Sequence, residues 1–126
     1  MEFFRYKNEI VGFRMKKIPT GSKPITDGGE PLQLVSLKHK KGAYLKAHRH
    51  VPKMRKTENL QECLVVKKGK IKIDLYGNDG VCFKKFMLKA GELFLLMNGG
   101  IGIHFIDDAE IFELKNGPFV EDKILI

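Results

Sequence analysis

Cysteine is scarce, with only Cys63 and Cys82 in 126 residues. Two isolated thiols supply neither a disulfide framework nor a Cys-rich zinc site. Long hydrophobic runs are missing too. The longest, Leu93 to Met97, falls far short of the roughly 20 residues that a membrane span requires. The stretch Met1-Glu2-Phe3-Phe4-Arg5-Tyr6-Lys7 is interrupted by charge and has no apolar core region. No secretory signal is expected from it, and a soluble cytoplasmic protein is the default. Clean 3.6-residue periodicity is absent from every window longer than about ten residues, which argues against helices. There is no Walker loop, no G-x-G-x-x-G after a strand and no G-x-S-x-G elbow. Nor is there an internal repeat or a linker that would divide the chain.

What is present is a dense series of turns. They fall at Asp27-Gly28-Gly29, Lys41-Gly42, Lys68-Gly69, Gly77-Asn78-Asp79-Gly80, Ala90-Gly91, Asn98-Gly99-Gly100 and Asn116-Gly117-Pro118. From Gly42 onward, short runs rich in Val, Ile, Leu and Phe lie between them. Turns at intervals of about 8–12 residues predict an all-β sandwich or barrel. The hydrophobic fraction of 43% excludes disorder as the main state, and the length suits one domain. Strands are expected over Leu32–Lys38, Ala43–His50, Glu62–Val66, Lys70–Tyr76, Val81–Leu88, Glu92–Met97, Gly102–Ile106 and Glu110–Lys115. One or two more are expected in the first 20 residues, including Ile10–Met15. In Lys70–Tyr76, Ile71, Ile73 and Leu75 alternate with Lys70, Lys72 and Asp74, the pattern of a half-buried strand. Val51 to Leu60 is charged and lacks alternation, so it reads as a loop.

The net charge is +8, from 23 Lys and Arg against 15 Asp and Glu. Such a balance admits nucleic acid or a small anion as a partner. The lysines nevertheless fall mostly at turns or on the polar phase of strands, and no aromatics interleave with them as a base-stacking surface requires. A solvated face is the simpler reading, and nucleic acid is not expected as a partner. Lys46, Arg49 and the Lys53-Arg55-Lys56 loop remain as a modest positive rim for a small anionic ligand.

Four histidines occur in the chain, and two of them, His48 and His50, are two residues apart. On a strand, residues i and i+2 face the same way, so both imidazoles would project together. Glu62 opens the following strand, and His104 lies beyond Asn98-Gly99-Gly100. Imidazoles with one carboxylate suit zinc, iron, manganese, nickel or copper. A buried cluster of this kind is costly without a cation. Tyr44 and Lys46 share the parity of His48 and His50 and are candidates for the mouth of a substrate pocket, as is Glu113. Each of these has a plainer reading as an ordinary surface or packing residue. Cys63 should face away from Glu62 and pack conventionally.

The segment Gly42-Ala43-Tyr44-Leu45-Lys46-Ala47-His48-Arg49-His50 resembles the start of the first cupin motif, G(x)5HxH, and Glu62 with Gly69 fits its end, E(x)6G. Eleven residues, Val51 to Gln61, separate His50 from Glu62 where the family has only a few. The second motif, G(x)5PxG(x)2H(x)3N, is met by Gly91 and Gly99 but has Met97 for its Pro and Gly102 for its His. His104 stands two residues on, with parity preserved, and is expected to face inward.

The resemblance is to the cupin superfamily and its small single-domain prokaryotic members. It covers residues 30–115, flanked by an arm over 1–29 and a tail over 116–126. It implies a cupin-type jelly-roll β-barrel with one divalent transition metal (Zn, Fe, Mn or Ni) on His48, His50, Glu62 and His104. It further implies a small-molecule metalloenzyme acting on a sugar-like or carboxylate substrate, as isomerase, epimerase or oxygenase. The alternative is a non-catalytic binding or sensing module. Homodimers are common in the family, and the N-terminal arm or Val120–Ile126 would serve such an interface.

Overall fold

A computed structural model describes residues 1–126 and contains ten strands and no helix. They are β1 (Glu2–Tyr6), β2 (Glu9–Met15), β3 (Gly21–Pro24), β4 (Val35–Lys38), β5 (Glu62–Lys68), β6 (Lys70–Tyr76), β7 (Cys82–Lys89), β8 (Leu93–Leu96), β9 (Gly100–Phe105) and β10 (Glu110–Lys115). Every pairing is antiparallel. One sheet has the order β1-β2-β8-β5-β10, a second β7-β6-β9, and β3 with β4 makes a separate ribbon. The all-β expectation therefore holds. The sheets do not close on themselves, however: β1, β10, β7 and β9 are each paired on one side only.

Local chemistry explains most of the turns. Lys7 and Asn8 both adopt positive φ between β1 and β2, the geometry of a two-residue hairpin whose twist matches its strands. Gly69 joins β5 to β6 at φ +76, and a Cβ there would lie 2.4 Å from the Asp108 carbonyl oxygen. Only glycine satisfies both conditions.

The main core lies between the two larger sheets. Leu64, Val66, Phe94 and Leu96 from one sheet meet Ile71, Ile73, Leu75, Phe86 and Leu88 from the other. Fully burying one such side chain is worth about 1.5–3 kcal/mol. Phe4 stacks on Phe86 at 4.5 Å between ring centroids and anchors the N-terminal hairpin to this core. A smaller cluster, Phe13, Cys63 and Leu95, occupies the opposite face of the five-stranded sheet. Ile25, Leu32 and Leu34 cover it. The β4 strand starts late, at Val35, while the side chains of Leu32 and Leu34 cap the sheet. Cys63 lies on the face opposite Leu64, as its parity requires.

No strand forms between Lys38 and Glu62, so the expected strand over Ala43–His50 is absent and the whole segment is exposed. The reason is energetic. Its alternate positions Ala43, Leu45 and Ala47 offer little apolar surface, against an ordering cost of about 1–2 kcal/mol per residue.

Candidate functional site

His48 and His50 remain adjacent without a strand to align them. Their ring centroids are 5.1 Å apart, with the planes at 77°. His48 Nδ1 lies 2.9 Å from the Lys46 carbonyl oxygen. A carbonyl accepts only, so Nδ1 is the donor, and in the neutral ring Nε2 would present its lone pair. The Ala47 amide donates to the Tyr44 hydroxyl at 3.3 Å. Tyr44 and Lys46 thus shape the short turn that presents the histidine pair, Tyr44 by its hydroxyl and Lys46 by its backbone. Both side chains are exposed.

Glu62 opens β5 and shares the phase of Leu64 and Val66, facing the space between the sheets. Lys115 is opposite it on β10, with Nζ 3.8 Å from Glu62 Oε1 and 3.4 Å from Glu113 Oε1. Burial pushes the Glu62 carboxyl above its ordinary value, and the negative charge of Glu113 adds to the effect, while Lys115 opposes it. Glu62, Glu113 and Lys115 form one charged group at the rim of the sandwich.

His104 corrects an expectation. On β9, Ile101 and Ile103 pack against the main core, so Gly102 and His104 take the outward phase. Its Nε2 is 2.6 Å from Asp74 Oδ2 on β6. Ile101 and Ile103 claim the inner phase of β9, so preserved parity carries both Gly102 and His104 outward. His104 and Glu62 therefore belong to different faces of different sheets. No group of three or more His, Cys, Asp or Glu side chains is placed to hold a metal ion. The four residues singled out from sequence separate into an exposed histidine pair, a rim carboxylate and an outward His–Asp pair.

Asp74 is the residue that sequence reasoning passed over. Its signal was visible: it is the single carboxylate on the polar phase of a strand otherwise carrying Lys70 and Lys72. Gln61, at the end of the spacer before Glu62, is a buried clamp. Its Oε1 accepts from the Leu32 amide at 3.2 Å, and its Nε2 donates to Glu30 Oε2 at 2.6 Å. Its own amide donates to Asn116 Oδ1 at 2.8 Å. Asn116 also donates to Thr57 Oγ1 and the Asn59 carbonyl, fixing the end of the charged loop beside β10.

A cleft of about 440 Å³ by the β9–β10 turn is lined by Lys67, Phe105, Ala109, Glu110, Ile111 and Phe112. None of the residues singled out above reaches it. No helix is long and apolar enough to cross a membrane. Compared with known proteins, the chain matches no family model, no curated protein and no solved structure.

Proposed function

We propose that this protein is a cupin-type jelly roll that binds one divalent transition metal through His48 and His50 and uses it on a small anionic molecule. The observation that carries the reading is the contact of His48 Nδ1 with the Lys46 carbonyl oxygen. A ring proton held by a backbone carbonyl, with the other nitrogen free, is the arrangement metal-binding histidines use. His50 is close enough to share an ion. Glu62 is the oxygen donor in this reading, and His104 is not a ligand. The residues between His50 and Thr57, where the loop is fixed, span up to about 20 Å when extended, enough for the histidine pair to approach the rim. When bound, the ion would supply Lewis-acid catalysis or bind oxygen or an enediol. Lys46, Arg49 and Lys53 would attract an anionic substrate.

Sheet order supports the jelly-roll part. From β5 to β10 the chain crosses repeatedly between sheets, with β5, β8 and β10 in one and β6, β7 and β9 in the other, β5 beside β8 and β6 beside β9. A jelly roll has eight strands in two sheets. The place beside β9 is open, and Ala43–His50 is the segment whose sequence suits it. The isomerase, epimerase and oxygenase readings share the same site. A non-catalytic binding role is favoured by one observation, the withdrawal of His104 into its pair with Asp74, which leaves a sparse ligand set. Homodimerisation fits the unpaired edges and the exposed Ile124-Leu125-Ile126 tail.

Metal analysis of purified protein tests the reading. Near-stoichiometric metal, lost in His48→Ala/His50→Ala and reduced in Glu62→Gln, is expected. Equal metal in wild type and double variant overturns it.

A further inference from the structure

We propose that the segment from Lys38 to Lys56 is an arm that lays the protein on an anionic bilayer surface. The inference goes beyond the metal reading. Its first support is where the charge lies. Six lysines and two arginines fall within these 19 residues, with no Asp or Glu among them. They account for the entire net charge of +8, because the other 15 basic residues are balanced by the 15 acidic ones. Every position in the segment is exposed. None of its cations takes part in an ion pair. A block of unpaired like charges repels itself, and an anionic partner relieves that repulsion.

The second support is apolar. Val51 and Met54 stand 70% and 84% exposed among the cations, and Tyr44 and Leu45 are exposed too. A partner made of phosphates alone would leave such side chains in water. A bilayer takes them below its headgroups while the lysine ammonium groups stay at the phosphate level. Tyr44 is the segment's single Phe, Tyr or Trp, too few to stack successive bases. A bilayer therefore fits better than a nucleic-acid strand. The tail adds to the same surface. Asn116 donates to Thr57 Oγ1 and to the Asn59 carbonyl, so the arm ends where the tail begins. Phe119, Ile124 and Leu125 in that tail are exposed as well. Polybasic attraction and apolar insertion are two signals at one end of the sandwich, and stable attachment takes two.

Sedimentation with vesicles, in EDTA at neutral pH, tests the proposal. One set is phosphatidylcholine alone, and the other carries phosphatidylserine at about one part in three. Binding to the mixed vesicles, released by high salt and absent with phosphatidylcholine alone, is expected. Lys53→Gln/Arg55→Gln/Lys56→Gln should weaken it roughly 100-fold. Val51→Ser/Met54→Ser should weaken it about tenfold. The chain has no Trp, so Met54→Trp places a single reporter in the arm. Its emission should move to the blue on the mixed vesicles. Polyuridylate at equal phosphate concentration should not displace the protein from them. Absence of binding, equal binding to both sets, or an unmoved emission overturns the proposal. Displacement by polyuridylate also overturns it, in favour of a nucleic-acid partner. His48→Ala/His50→Ala should bind the vesicles as the wild type does, so a failure of the metal reading leaves this outcome unchanged.

Discussion

His104 Nε2 sits 2.6 Å from Asp74 Oδ2 on the face of its sheet turned away from the core. The hydrogen bond from His104 is the main reason that the Asp74 carboxyl is held below its ordinary value, assisted by the charges of His104, Lys85 and Lys72, while partial desolvation opposes them. A depressed carboxyl stabilises the fold above the unfolded-state value and loses that contribution as pH falls through the folded value. Asp74→Asn should therefore lower Tm near neutral pH. The gap to wild type should narrow in acid, below about pH 4. A gap that stays constant from neutral pH into acid would falsify the pairing.

Metal affinity should depend on the two exposed histidines individually. His48→Ala should weaken binding by more than the roughly 10–100-fold that changes to outer-shell partners cost. His104→Ala should leave it unchanged. Competition with a chromophoric chelator measures both.

Thiol chemistry should separate the two cysteines. Burial pushes the Cys63 thiol up to about 11, whereas Cys82 is exposed. At pH 8 a thiol reagent should modify one site quickly and the second only on unfolding. The thiolate is the reactive form, and Cys63 is both protonated and covered. Peptide mapping of the fast-labelled protein identifies the site; rapid labelling of Cys63 would contradict the packing described.

Unfolding in urea should rank three substitutions. Phe94→Ala removes a fully buried ring and should cost about 3–5 kcal/mol. Gln61→Ala strands the Leu32 amide and should cost about 1–3 kcal/mol. Tyr44→Ala, on an exposed ring, should change stability by no more than about 0.5 kcal/mol.

The strands legible in the sequence were those whose own residues settle the matter. Ile71, Ile73 and Leu75 alternate with polar neighbours, and the β6 range agrees residue for residue with the expectation. β10 does too, and β7, β8 and β9 shift only at their ends. The N-terminal hairpin was less visible, because its stability comes from Phe4 reaching across to Phe86. Ala43–His50 misled in the opposite direction. Its motif spacing suggested a strand, yet spacing says nothing about whether a neighbour exists to bury Leu45. The separation of Glu62 from His104 was likewise not readable. It depends on which phase of β9 wins the core, and two isoleucines outweighed one histidine. Asp74 was readable as an anomaly, but its partner lies 30 residues away in the sequence.

The open edge of β9 gives amide exchange a two-residue rhythm. Amides bonded to β6 are protected, and those between them face solvent and exchange quickly. If Ala43–His50 or another chain pairs with that edge, the fast positions slow while the others stay as they were. Deuterium uptake along Gly100–Phe105 therefore reports, residue by residue, whether the sandwich is open or complete at any given moment.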